Sequence, residues 1–155
     1  MWNIQKYSIE ITNEDVENIL KFCDEHKGIV TNNVGCYRSV PVNPKRVPWL
    51  YNITERVKSA IDCKDFGNPW FVVHKAGDSF KWHNHSNCEQ VCVTYIQSDG
   101  GDIEFRKDGE HYKITPKTGM VIMFPGELEH QVLPHNSDTL RISMAVNLPQ
   151  NRTSS

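Results

Sequence analysis

The chain has 155 residues, 17 basic and 19 acidic, and a net charge of −2. Charges so evenly mixed give no global field that would favour nucleic acid or an anionic membrane, and the length suits one domain with a real core. Five cysteines (Cys23, Cys36, Cys63, Cys88 and Cys92) are odd in number and form no CxxC pair, so a disulfide framework or zinc ribbon is not expected. Residues Met1 to Tyr7 lack the apolar core of a signal peptide, and no run reaches membrane-spanning length. Reduced thiols in a cytoplasm are the expected state.

In chain order, a short strand is expected over Tyr7–Ile11. A helix then opens at Thr12 or Asn13, with Glu14 and Asp15 in its first turn, where carboxylates suit the helix dipole. Val16, Ile19, Leu20 and Cys23 recur on one face with Phe22 at its margin, and Lys27-Gly28 provides a stop. Residues 29–47 read as loop with room for a short strand, punctuated by Pro41 and Pro44. A second helix is expected over Pro48–Asp62, where Leu50, Ile53, Val57 and Ile61 return at helical spacing and Pro48 is tolerable in the first turn.

After Gly67-Asn68-Pro69 the texture changes. Eight short strands are expected: Trp70–Lys75, Phe80–His85, Glu89–Gln97, Asp102–Lys107, His111–Thr115, Met120–Phe124, Glu129–Pro134 and Thr139–Asn147. Turn residues separate them, as in Ala76-Gly77-Asp78 and Lys107-Asp108-Gly109-Glu110. Many strands with no helix between them indicate a sandwich, jelly roll or barrel. The chain is therefore expected to be mainly β with N-terminal helices (α+β). Its parts would be a helical and loop support (1–69), a β core (70–149) and a polar tail (150–155).

The stretch Trp82-His83-Asn84-His85-Ser86-Asn87-Cys88-Glu89 concentrates metal-binding side chains. In an extended strand His83 and His85 point to the same face. A third imidazole from a remote strand would complete a site, and His130, flanked by apolar strand-like sequence, is the expected partner. Imidazole with carboxylate suits iron, zinc, manganese, copper or nickel better than calcium or magnesium. In Thr139–Asn147, Leu140, Ile142, Met144 and Val146 share one face, and Arg141, Ser143, Ala145 and Asn147 the other. An Arg in so apolar a strand either lies on a wet edge, pairs with an acidic side chain, or aims its fork at a ligand carboxylate. Trp70, Trp82 and Phe124 are expected mainly as core aromatics.

These motifs resemble those of the iron(II)/2-oxoglutarate-dependent oxygenases with a double-stranded β-helix (jelly-roll) core. The resemblance spans about residues 70–149. His83 matches the first ligand of that family's His-x-Asp/Glu pair, His130 follows 47 residues on, and Arg141 comes 11 later. Arg141-Ile142-Ser143 is similar to the family's Arg-x-Ser pair for the far carboxylate of 2-oxoglutarate. Gly100-Gly101-Asp102-Ile103-Glu104-Phe105 is similar to a recurring Gly-Gly-x-x-x-Phe strand. The run Phe124-Pro125 to His130 resembles a small, largely uncharacterised bacterial and phage branch.

The resemblance implies Fe(II) held by His83, His130 and one of His85 or Glu89, and 2-oxoglutarate held by Arg141 and Ser143, with Tyr95 adding a phenol. It implies hydroxylation of a peptide side chain, an amino acid or a small metabolite. One departure is His85, which stands where the family has a carboxylate. The sequence is also similar to the cupins, built on the same roll: Gly77, His83, His85 and Glu89 fit their first motif, and Gly119, Pro125 and His130 their second. A cupin would be a metalloprotein that acts without 2-oxoglutarate. Neither nucleic acid nor membrane is expected as a partner, and the oligomeric state stays open.

Overall fold

The computed structural model describes residues 2–25, 29–30 and 37–148. The expected helix stop at Lys27-Gly28 and the polar tail lie outside the described residues. The elements are strand β1 (Gln5–Ser8), helix α1 (Asn13–Glu25), short strands β2 (Ile29–Val30) and β3 (Tyr37–Arg38), a 3₁₀ turn at Pro44–Arg46, and helix α2 (Pro48–Ile61). Eight strands follow: β4 (Trp70–His74), β5 (Phe80–His83), β6 (Gln90–Gln97), β7 (Ile103–Lys107), β8 (Glu110–Ile114), β9 (Met120–Pro125), β10 (Glu129–Val132) and β11 (Arg141–Leu148).

They form a seven-stranded sheet in the order β1-β9-β6-β11-β4-β3-β2 and a four-stranded sheet in the order β5-β10-β7-β8. From β4 onward the chain changes sheet at almost every connection. That winding sets β5 beside β10, strands that carry residues nearly fifty apart in sequence. It is the double-stranded β-helix.

Local chemistry explains the ends of the helices. Thr12 caps α1 reciprocally: the Asp15 N–H donates to the Thr12 hydroxyl at 3.1 Å, and the Thr12 N–H donates to the Asp15 carboxylate at 2.8 Å. Asp15 does more than complement the helix dipole. It is buried and pairs with Arg56 of α2 at 2.9 Å. Burial alone would raise its pKa, but the hydrogen bonds from Arg56 and Thr12 prevail and hold it below the ordinary carboxylate range. Helix α2 ends one residue before the expected Asp62, which takes the left-handed conformation of a helix stop at φ 53°.

Two of the differences from the expected strands bear on the packing and the site. The first lies at Gln5–Ser8, because pairing with β9 runs from Gln5 opposite Met123 to Ser8 opposite Met120. Ile9 and Ile11, expected in that strand, instead pack against the helical side of the core. The second is Phe80–His85, which stops at His83. The Cys88 N–H donates to the His85 carbonyl at 3.1 Å, so the chain turns there rather than continuing extended.

The larger sheet has two unlike faces. Ile142, Met144, Val146 and Leu148 of β11 and Cys92 and Ile96 of β6 pack with Ile19, Leu50, Ile53 and Val57 of the two helices. The opposite face, with Val91, Tyr95, Ile122 and Phe124, meets Ile103, Phe105 and Ile114 of the smaller sheet. Cys23, Cys63, Cys88 and Cys92 form no disulfide. Among the described residues no helix is long and apolar enough to cross a membrane.

Candidate active site

Between the sheets lies a cavity of about 120 Å³. On the smaller sheet His130 of β10 is the register partner of His83 of β5, and their rings lie 4.2 Å apart. His85 arrives from the turn after β5. Its N–H donates to the Gly126 carbonyl at 2.7 Å, and its ring lies 5.5 Å from that of His83 and 5.4 Å from that of His130. Same-face alternation along a strand is therefore not what brings His85 in. The turn docks instead against Gly126, where any Cβ would collide with the Cys88 and His85 carbonyls. Trp70 stacks on the His85 ring at 6.3 Å.

One nitrogen from each of the three imidazoles lies within 4.8 Å of the others. The Nδ1 atoms of His83 and His130 donate to the carbonyls of Lys81 at 2.7 Å and Leu128 at 3.0 Å. A carbonyl only accepts, so these contacts leave the Nε2 lone pairs for another electrophile. Burial lowers the pKa of all three: His130 to about 3, helped by the charges His83 and His85 would carry, His85 to about 4, and His83 below its usual value. Three neutral rings at pH 7, each with a nitrogen this close to the others, make a group that could hold a divalent transition metal.

The larger sheet supplies the facing wall, and its register orders the residues in rows. Arg141 lies opposite His74. Ser143 lies between Val72 and Tyr95, and Ala145 between Trp70 and Val93. Arg141 is 2% exposed, on a central rather than an edge strand. Its Nε donates to the Gly101 carbonyl at 3.2 Å, and its guanidinium lies 5.2 Å from the centre of the Tyr95 ring. Gly101 has φ +76°, and a Cβ there would press on the Arg141 Cδ and Nε, which gives a steric reason for that glycine. Burial pushes the Tyr95 phenol up while the Arg141 charge pulls it back, so Tyr95 stays a protonated donor at neutral pH. Among the described residues, no Asp or Glu lines this cavity.

The structure thus gathers His83, His85, His130, Tyr95, Arg141 and Ser143 around one space. Glu89, the alternative third ligand, is exposed and outside the lining; the preceding turn delivers His85 to the cavity instead. Trp70 lines the cavity and Phe124 packs edge-on against His130 at 4.8 Å, whereas Trp82 lies outside the lining, with Arg106 over its ring at 4.1 Å. Sequence reading missed Arg38, His74 and Asn147. Arg38 stacks over Trp70 at 4.7 Å in the lining, and Asn147 lies beside His85. Only strand pairing reveals His74, because nothing in Val73-His74-Lys75 marks it.

The structure combines a double-stranded β-helix with a group of three histidines that could hold a metal ion. Residues 102–147 match the family model described as a putative 2OG-Fe(II) oxygenase. The structure is similar to a prolyl-4-hydroxylase of Pseudomonas putida, with 16% identity over 97% of this chain and 95% of that one and a TM-score of 0.64. It is also similar to a prolyl hydroxylase solved with a hypoxia inducible factor peptide fragment from Trichoplax adhaerens, with 11% identity over 95% and 83% and a TM-score of 0.73. A third similar structure is HygX of Streptomyces hygroscopicus with nickel and 2-oxoglutarate bound, with 8% identity over 94% and 82% and a TM-score of 0.66. No curated protein matches the sequence. The chain is thus similar to 2OG-Fe(II) oxygenases over residues 102–147 and shares the fold of these solved structures.

Proposed function

We propose that the protein is an Fe(II)/2-oxoglutarate-dependent dioxygenase that hydroxylates a C–H bond of a peptide side chain, an amino acid or a small metabolite, and that it works in the cytoplasm. His83, His85 and His130 hold the ion, and Arg141, Ser143 and Tyr95 receive the far carboxylate of 2-oxoglutarate. The observation that carries this reading is the buried guanidinium of Arg141, in the same cavity as three convergent imidazoles. A charge so deep in the protein is costly to desolvate, and an anion on its fork offsets that cost. The pairing of an anion seat with a metal group distinguishes this reading from the cupin one, which has no diacid to place. Peptide and small-molecule substrates both have support among the similar structures, one of them solved with a peptide fragment and another, HygX, with hygromycin B bound.

When bound, Fe(II) and 2-oxoglutarate supply the oxidation: O2 is consumed, 2-oxoglutarate becomes succinate and carbon dioxide, and the substrate gains a hydroxyl. The protein's part is to hold and to orient. Arg141 binds the carboxylate through charge-assisted hydrogen bonds, with the Ser143 and Tyr95 hydroxyls beside it. The carbonyls of Lys81 and Leu128 fix the tautomers of His83 and His130. Along β11, the Arg141 row and the Ala145 row that bears Trp70 and abuts His85 are four residues, about 13 Å, apart. A diacid anchored by the long Arg141 side chain can extend its other end toward the imidazoles.

An anaerobic titration tests the reading. Fe(II)-loaded protein should develop a visible charge-transfer band on adding 2-oxoglutarate. Arg141→Ala should weaken that binding by roughly 10- to 100-fold, the loss expected for hydrogen bonds to a charged group, while iron affinity stays. Iron binding with no such band would reject 2-oxoglutarate as cosubstrate. Loss of iron from Arg141→Ala would reject the role given to Arg141.

A further inference from the structure

His74 stands out on the larger sheet. It is fully buried, at 0% exposure, it lines the cavity, and neither of its ring nitrogens has a hydrogen-bond partner. Buried polar side chains are nearly always satisfied, so two orphaned nitrogens on one ring call for a partner in the cavity. Residues directly opposite each other in an antiparallel pair share a face, with Cβ atoms about 5 Å apart. His74 is opposite Arg141. A ligand on the guanidinium is therefore within reach of the imidazole.

The chemistry of that ligand follows from the surroundings. Asp78 is buried nearby: its Oδ2 already accepts from the Lys75 N–H at 2.7 Å, and its backbone lies beside the His74 ring without the geometry of a hydrogen bond. His135, on the same side, directs Nε2 at the Thr139 carbonyl at 3.1 Å. Burial, with the Arg141 charge second, lowers the His74 pKa to about 4, so the ring is neutral at pH 7 and keeps one N–H to donate. A carboxylate has two oxygens and about four acceptor sites, more than one Arg fork fills.

We propose that His74 is a further 2-oxoglutarate-binding residue, donating its ring N–H to the far carboxylate beside Arg141. The inference rests on the cosubstrate reading above and adds to it. Arg141 provides the charge. His74 makes the subsite tighter for a diacid than Arg141, Ser143 and Tyr95 alone would.

The test uses Fe(II)-loaded protein without oxygen, titrated with 2-oxoglutarate and with 2-oxobutyrate, which carries the same 2-oxo acid but no far carboxylate. His74→Leu should raise the Kd for 2-oxoglutarate about tenfold, the loss of one hydrogen bond to a charged acceptor, and leave Fe(II) and 2-oxobutyrate affinities within about twofold. His74→Gln, which keeps an N–H donor, should recover part of the loss. Unchanged 2-oxoglutarate affinity in His74→Leu would overturn the inference, and so would equal weakening of both 2-oxo acids or loss of iron, which would mark a packing role. Absence of the band in the unaltered protein would instead remove the cosubstrate reading, and this inference with it.

Discussion

Strand β11 has two faces built on opposite principles. Toward the helices, Ile142, Met144, Val146 and Leu148 are buried among other apolar side chains and have no polar work. Toward the cavity, Arg141 and Ser143 are almost as deeply buried but polar. One face stabilises the fold by removing apolar surface from water; the other carries a desolvated charge, a cost that an anionic ligand would help to offset. The contrast teaches that burial alone does not separate core from site. Chemistry does, because an alternating strand can place either kind of residue at the same depth.

Substitutions on either side should sharpen that contrast. The largest effect is expected for His130→Ala, on the smaller sheet facing this cavity. With His130 as a ligand, as proposed, its removal should exceed the roughly 10- to 100-fold cost of disturbing a ligand's supporting contacts, so iron affinity should fall on the order of a hundredfold or more, measured by anaerobic metal titration. Near-normal iron binding would exclude His130 from the site. On the helical face, Met144→Ala should cost about 3 kcal/mol of stability in chemical denaturation, the usual range for a large-to-small core change. Its affinities for iron and 2-oxoglutarate should stay as they were, and a matching loss of affinity would break the division between the two faces. Smallest of all is Glu89→Gln. Its carboxylate is exposed outside the cavity, and a surface change of about 0.5 kcal/mol corresponds to roughly a twofold effect on iron affinity. A large drop would restore Glu89 as a ligand.

Much of this was legible in the chain as written. Period-2 and period-3.6 patterns gave the strands after residue 70 and both helices to within a residue or two, because each element shows its apolar face locally. The candidates His83, His130 and Arg141 could be picked out because polar groups in apolar strands need a reason to be there. The position of the first strand was not legible, since Gln5–Ser8 is set by its pairing with β9 rather than by its own pattern. Nor was the route by which His85 reaches the cavity, which depends on a turn pressed against Gly126.

By itself, then, the sequence determined which segments extend or coil and which side chains could bind a metal or an acid. Those properties reside in near neighbours and in the chemistry of single residues. Tertiary structure alone decided the company each residue keeps: His130 with His83, His74 with Arg141, Asp15 with Arg56, and Glu89 left outside. Register between strands far apart in the chain fixes those partnerships, and no local pattern encodes it.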